Sequence, residues 1–299
     1  MHSEHPQKLE PALYVVATPI GNLRDITQRA LDVLAAVDIV AAEDTRNTAQ
    51  LLSHFNIRAP KLVALHQHNE HVGASRIVDL LLSGHSVAFA SDAGTPAVSD
   101  PGALLVQAVR AAGLRVIPIP GVAAVTAALS ASGLAEPRFL FCGFLPNKSS
   151  ARCRVLESLI EHPYTLVFYE APHRIVECVA DLVEVFGGER EIVFAREITK
   201  LFESIHSCRL SEATAWLDAD ANNQRGEFVL LISAAKTATG LPIEAHRVLS
   251  ILLAELPLKQ AVQLAAKISG AHRNDLYQHA LSLRNQDEVD GDQDETTDA

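Results

Sequence analysis

The chain has 299 residues, 48% of them hydrophobic and 20% charged, which predicts a folded globular protein of one large or two ordinary domains. The formal net charge of −11 excludes a uniformly basic nucleic-acid binder, but residues 286–299 hold seven acidic residues and no basic one, so a locally basic surface is still allowed. The sequence lacks a CxxC pair, a signal-peptide core at its start and an apolar run of about 20 residues, so we expect a cytoplasmic protein with buried free thiols and no membrane span.

Residues 11–131 alternate apolar strands with amphipathic helices, which predicts an α/β domain with a mostly parallel sheet. Asp25, with Gln28 three residues later, predicts the start of the first helix. Asp100 stands before a proline and predicts the N-cap of a helix over 101–112. The predicted strands are 13–17, 39–42, 61–65, 86–90 and 115–119.

A second alternating series over 132–236 predicts another α/β domain, with strands at 139–142, 165–169, 191–195 and 227–233. Residues 196–207 either extend one strand or form a hairpin. Ligands of two-domain chains commonly bind between the domains, so we expect the site in the cleft.

Residues 237–285 are predicted to form a small helical module, which begins with a linker at 237–242. Its predicted helices are 244–256, 258–268 and 273–283, and the glycine-containing turn at 269–272 is typical of a helix-turn-helix. Residues 1–10 are predicted to form an N-terminal tail, and the acidic residues 286–299 a disordered C-terminal tail.

Three turns rich in glycine, proline and small residues follow three predicted strands of the first domain: 17–23 (ATPIGNL), 91–102 (SDAGTPAVSDPG) and 119–124 (IPGVAA). Gly94 permits close approach of the backbone to a ligand, and the Asp92 carboxylate suits a cation or a ribose hydroxyl. None of the turns carries the dinucleotide-binding or P-loop glycine pattern, which argues against both sites. Three such turns in one sheet predict a single shared ligand.

These turns, together with residues 41–46, 66–70, 168–174 and 195–200, resemble the motifs of the tetrapyrrole (corrin/porphyrin) methylase superfamily. Within it the chain is most similar to the branch that methylates ribose 2′-hydroxyls of small-subunit rRNA. The resemblance implies two α/β domains with S-adenosylmethionine (SAM) in the interdomain cleft, and usually a homodimer. The implied substrate is a decoding-centre cytidine of 16S rRNA, and we expect the assembled small subunit as the partner.

Strand-end position predicts the catalytic residues, and the resemblance implies the SAM contacts by motif position. Glu170 and His173 end a strand of the second domain beside the expected cleft and are predicted to be catalytic, as is Asp44. Three structural roles stay open: Glu170 pairs with Arg174, His173 begins the next helix, or Asp44 caps a helix. The predicted SAM contacts are Pro19, Ile20, Asp92, Gly94, Thr95, Val98, Val122, Ala123 and Ala124.

Basic residues near strand ends predict contacts with RNA phosphates. The predicted rim of the cleft contains Arg24, Arg46, Arg174, Arg196 and Lys200. Lys148, Arg152 and Arg154 predict a further docking patch. His66, His68 and His71 form no metal-binding motif, and we predict no metal site.

Two other functions remain open from the sequence. One is a SAM-dependent methylase with a tetrapyrrole substrate, against which the basic rim and the added C-terminal helices argue. The other is a noncatalytic RNA-binding factor in ribosome assembly, which would retain the fold without turnover.

Overall fold

The computed structural model describes residues 9–58, 60–66, 69–235 and 243–291. The predicted linker, His68, the first eight residues and residues 292–299 of the acidic tail lie outside the described residues. The prediction of two α/β domains followed by a helical module is confirmed.

The first domain has a five-stranded sheet in which every pairing is parallel, in the order β3-β2-β4-β1-β5. Apolar strands of this kind are buried on both faces by helices, and two hydrophobic clusters fill the two sides. All five strands end at the same edge, so the predicted ligand turns after β4, β1 and β5 lie side by side. Its elements are β1 (Leu13–Val16), α1 (Gln28–Ala36), β2 (Ile39–Ala42), α2 (Thr45–His54), β3 (Lys61–Ala64), α3 (Glu70–Leu82), β4 (Val87–Ala90), α4 (Ala103–Ala111) and β5 (Val116–Ile119).

The second domain has a mixed five-stranded sheet in the order β6-β7-β10-β8-β9. Only the β6–β7 pair of this sheet is parallel. The segment predicted as an extension or a hairpin is a hairpin, because β9 pairs antiparallel to β8. The elements are α5 (Ala124–Ser132), β6 (Phe139–Phe144), α6 (Ser149–Glu157), β7 (Thr165–Glu170), α7 (Ile175–Phe186), β8 (Glu191–Arg196), β9 (Ser204–Arg209), α8 (Leu210–Ala219) and β10 (Phe228–Ile232).

Helix α5 connects the two domains through its packing. Its buried residues Val125 and Ala128 belong to one apolar cluster with Val167, Val193 and Val229 of the second sheet. The helix follows the third ligand turn of the first domain but packs against the second sheet. The predicted boundary after residue 131 therefore separates α5 from its packing partners.

Two helix starts differ from the sequence predictions. Thr27, rather than Asp25, caps α1, and its hydroxyl accepts the Ala30 amide at 3.1 Å. Helix α4 begins after Gly102, rather than after Asp100, and its first amides are satisfied by a distant side chain. The buried Glu70 carboxylate accepts from the amides of Gly102 and Leu104 at 2.9 and 3.0 Å, and this leaves Asp100 free of the capping role.

The helical module contains α9 (Ile243–Glu255), α10 (Leu258–Ser269) and α11 (Arg273–Gly291), which share a small apolar core. Gly270 ends α10 in a left-handed conformation with φ of 72°, so the predicted turn between α10 and α11 is present. No helix within the described ranges is both long enough and apolar enough to cross a membrane. The four cysteines are free thiols, but only Cys178 is buried and the other three are partly exposed, so the prediction that all four are buried is wrong.

Candidate active site

A cavity of about 270 Å³ lies between the two domains, at the edge where the strands of the first sheet end. Residues of all three ligand turns line it from the first domain, and residues at the ends of β6, β7 and β8 and at the start of β10 line it from the second. We call it the interdomain cavity. Its size is near the lower end of the range for small-molecule sites, about 300 to 1,000 Å³.

Direct hydrogen bonds hold the three ligand turns together. Thr18 and Gly94 exchange two backbone hydrogen bonds at 2.9 and 3.0 Å, which join the turns after β1 and β4. The Thr95 hydroxyl donates to the Val122 carbonyl at 3.0 Å and ties in the turn after β5. These hydrogen bonds therefore join three separate segments into one connected unit.

Six of the nine predicted SAM contacts line this interdomain cavity: Ile20, Gly94, Thr95, Val98, Ala123 and Ala124. Val122 is not one of the lining residues, but its carbonyl accepts the hydrogen bond from the Thr95 hydroxyl. Pro19 and Asp92 instead line a second cavity on the other side of the joined turns. Both Asp92 oxygens accept hydrogen bonds, one from the amide of Asp44, the N-cap of α2, at 3.1 Å and one from the Asn47 side chain of α2 at 3.0 Å.

The wall from the second domain includes aromatic residues that the sequence analysis missed. Phe144, Tyr169 and Phe228 line the cavity, and Tyr169 contacts Phe144 edge-on with 5.6 Å between ring centroids. The Tyr169 hydroxyl accepts the Val125 amide at 3.2 Å, which ties this wall to the start of α5. Position at strand ends was the available signal, but it does not tell which apolar residues face the cleft.

Every charged side chain that lines the cavity within the described ranges is a carboxylate: Asp100, Glu170 and Glu227. Glu170 pairs with Arg174 at 3.1 Å and Glu227 pairs with Lys200 at 2.8 Å. Asp100 forms no ion pair among the described residues. Burial, followed by the charge of Glu43, raises the pKa of Asp100 to about 6.

The three predicted catalytic residues lie in different surroundings. Glu170 lines the cavity, but its carboxylate is buried and accepts the Ala171 amide at 2.8 Å besides its ion pair with Arg174. His173 is exposed and does not line the cavity. Asp44 caps α2, and its hydrogen bonds from the Arg46 side chain hold the pKa of the Asp44 carboxyl at about 2. Glu170 therefore pairs with Arg174 and Asp44 caps α2, the structural roles considered for them from the sequence.

The loops beside the cavity hold strained backbone. Ala97 and Ser99 adopt positive φ of 65° and 63° in the loop before α4, and Glu197 and Thr199 adopt 50° and 68° after β8. Non-glycine residues rarely adopt this conformation, and each costs on the order of 1 to 3 kcal/mol. Such strain on both sides of one cleft is typical of a functional site.

The residues predicted to contact RNA fall into an exposed group, a partly buried group and one buried residue. Arg24, Arg46, Lys148 and Arg154 are exposed. Arg174, Arg196 and Lys200 are partly buried and bind neighbouring protein groups. Arg152 is fully buried and donates to Asp181 at 2.5 Å, so the prediction that it docks RNA is wrong. Arg152 stands four residues after Lys148, a spacing that in sequence predicts a shared helical face. Its side chain instead points at α7.

Comparison with known proteins agrees with this architecture. The family model of the Tetrapyrrole (Corrin/Porphyrin) Methylases matches residues 12–214. The chain belongs to the tetrapyrrole methylase family. A second model, the RsmI C-terminal HTH domain, matches residues 239–284 of this methylase and covers most of the helical module. The resemblance inferred from the ligand turns is confirmed.

Curated relatives extend the similarity over nearly the whole methylase. It is 53% identical over 272 residues to the ribosomal RNA small subunit methyltransferase I of Pseudomonas aeruginosa, with 90% of this chain and 96% of that protein covered. The protein of the same name from Vibrio cholerae is 54% identical, with 91% and 94% covered.

Solved structures share the fold at low sequence identity. Diphthine synthase superimposes with a TM-score of 0.57 at 17% identity, over 76% of this methylase and 90% of that chain. A uroporphyrin-III C-methyltransferase from Thermus thermophilus, complexed with S-adenosylhomocysteine, has a TM-score of 0.52 at 19% identity, over 74% and 97%.

Proposed function

We propose that this methylase uses SAM to methylate the ribose 2′-hydroxyl of a decoding-centre cytidine in small-subunit rRNA. The observation that carries the proposal is the identity of about half of all aligned residues with relatives named ribosomal RNA small subunit methyltransferase I, across both domains and the helical module. We further propose that it acts in the cytoplasm as a homodimer on the assembled small subunit.

The interdomain cavity fits SAM in chemistry. SAM supplies, when bound, an electrophilic methyl group on a positively charged sulfonium. Among the described residues, the charged groups that line the cavity are all acidic, which suits a cationic ligand. The ligand turns at Ile20, Gly94 and Thr95, together with Phe144 and Tyr169, would hold the remainder of the molecule and exclude water.

Asp100 is the proposed base for the ribose hydroxyl. The hydroxyl oxygen that gains the methyl group must lose its proton, and a positioned base contributes about 10²- to 10⁴-fold. Asp100 lines the cavity without an ion pair, and its pKa of about 6 leaves it ionised at pH 7.5 but still able to accept a proton. Asp44 is a poorer base because its pKa is about 2, and Glu170 is engaged by Arg174.

Alignment of the hydroxyl with the methyl group supplies the larger share of the rate. Effective molarity from orientation is worth about 7 to 11 kcal/mol. The three joined ligand turns would fix one reactant, and exposed cations such as Arg24 and Lys148 would fix the RNA through its phosphates. No metal is required by this reaction.

Methyl-labelled SAM tests the proposal when it is incubated with the purified protein and one of three acceptors: unmodified small subunits, naked 16S rRNA or a uroporphyrinogen. We expect label in the subunits. Label in the uroporphyrinogen alone would contradict the proposal in favour of a tetrapyrrole substrate. SAM binding without transfer to any acceptor would contradict it in favour of an assembly factor.

A further inference from the structure

A second cavity, of about 420 Å³, lies beside α2 on the opposite side of the joined ligand turns from the interdomain cavity. We call it the α2 cavity. Thr18 and Asp92 line the α2 cavity, whereas Ile20 and Ala93 line the interdomain cavity. The same two turns thus form a wall of both cavities, and the Thr18–Gly94 hydrogen bonds fix this shared wall.

One face of α2 presents hydrogen-bonding groups to the α2 cavity. Asn47, Gln50, Leu51 and His54 line it, and their spacing of three and four residues puts them on one side of the helix. The side chains of Gln50 and His54 are exposed and form no hydrogen bond with other described residues. Two amides and an imidazole offer both donors and acceptors, the combination that reads the edge of a nucleobase.

Apolar side chains supply a surface for a planar ring. Leu51 of α2 and Leu23 of the turn after β1 both line the α2 cavity, and 40% of Leu23 is exposed. Bases of single-stranded RNA are commonly held by such contacts together with hydrogen bonds to their edges. The lining therefore combines apolar contacts with hydrogen-bonding groups.

Two arginines stand next in sequence to residues that line the α2 cavity, although neither lines it. Arg24 follows Leu23, is exposed and forms no ion pair among the described residues. Arg46 precedes Asn47 in sequence, and 86% of its side chain is exposed although it also pairs with Asp44. Among the described residues, Asp92 is the one charged residue that lines the cavity, and its two oxygens accept hydrogen bonds from the Asp44 amide and the Asn47 side chain.

We propose that the α2 cavity binds a nucleotide that flanks the methylated one in the substrate RNA. Gln50, His54 and the amide of Asn47 contact its base, and Arg24 contacts its phosphate. The inference rests on the proposed function. The methylated ribose must reach the interdomain cavity, so a base held across the shared wall belongs to a neighbouring nucleotide of an unpaired strand.

The double variant Gln50→Ala/His54→Ala tests the contact with the base. With unmodified small subunits as substrate, we expect KM for the subunit to rise about tenfold or more, kcat to stay within about twofold and the Kd for SAM to stay unchanged. Ser53→Ala is the matched control, because Ser53 is exposed on the same helix but does not line the α2 cavity. We expect it to behave as the wild type.

A crosslink identifies the occupant directly. 16S rRNA carrying 4-thiouridine is assembled into subunits, irradiated with the wild-type protein and digested. We expect residues 45–54 to be joined to a nucleotide within two positions of the methylated one. An α2 crosslink to a second protein copy, or to a distant nucleotide, would overturn the inference.

The two proposals fail in different ways. If the wild-type protein transfers no methyl group to small-subunit rRNA, the proposed function is wrong. If the wild type transfers it and the double variant keeps the wild-type KM, only the α2 cavity inference is wrong. Circular dichroism and SAM binding of the variant show that a raised KM does not come from misfolding.

Discussion

Asp100→Asn gives the sharpest test of the proposed base, because it preserves shape and removes the site of protonation. A carboxyl with a pKa of about 6 is about 97% ionised at pH 7.5 and about 9% ionised at pH 5. We therefore expect wild-type kcat/KM for methyl transfer to fall about tenfold across that interval. The variant should be about 10²- to 10⁴-fold slower at pH 7.5 and lack this pH dependence.

The same substitution should increase stability. The folded-state pKa of Asp100 lies above the usual value of 3.8, so its contribution to stability is present below pH 3.8 and is lost as pH rises through 6. Because the side chain is partly solvated, we expect a screened gain of about 1 to 2 kcal/mol for Asp100→Asn at pH 7.5. Urea unfolding should show this difference disappear below about pH 4.

Glu43→Gln is the matched control. Removal of the Glu43 charge should lower the pKa of Asp100 and move the fall in kcat/KM to lower pH, with activity at pH 7.5 retained. Near wild-type kcat/KM in Asp100→Asn, with SAM affinity intact, would refute the assignment of Asp100 as the base.

Three further substitutions test the packing and the surface. Arg152→Met should destabilise the fold by about 3 to 5 kcal/mol in urea unfolding, because it leaves the Asp181 carboxylate unpaired, and Arg152→Met/Asp181→Leu should recover most of the loss. Equal stability of the single and double variants would contradict this reasoning. Glu70→Gln should cost about 1 to 2 kcal/mol, measured in the same way, because a neutral amide accepts the α4 amides more weakly than a carboxylate does. Lys148→Ala/Arg154→Ala should weaken subunit binding and reduce the salt dependence of log K by about 1.4 to 1.8, with SAM affinity unchanged. An unchanged salt dependence would show that these two residues do not contact RNA phosphates.

The first domain could be predicted well because its signals are local. Its apolar strands are short, β1, β4 and β5 are each followed by a turn that contains glycine and proline, and the ends of parallel strands share one edge of the sheet. The turns after β1, β4 and β5 were therefore expected together, and six of the predicted contacts meet in one cavity. The Asp44 cap of α2 was also readable, because its hydrogen bond reaches only two residues along the chain.

The errors arise where the decisive contact is distant in sequence. Glu70 caps α4 across more than thirty residues, so nothing next to Asp100 shows that its capping role is taken. Arg152 is buried by a partner 29 residues away, which helical spacing cannot show. The acidic lining of the interdomain cavity depends on how two sheets face each other, so the sequence does not show that Asp100 lines the cavity.

The position of the transferred methyl group tests the central claim most directly. Small subunits lacking the modification are incubated with the protein and labelled SAM; one portion of their rRNA is digested to nucleosides for analysis, and another is mapped intact by resistance to alkaline cleavage. We predict 2′-O-methylcytidine at one decoding-centre position and resistance of the bond that follows it. Label on a base, on another nucleoside or at many positions would contradict the proposed reaction.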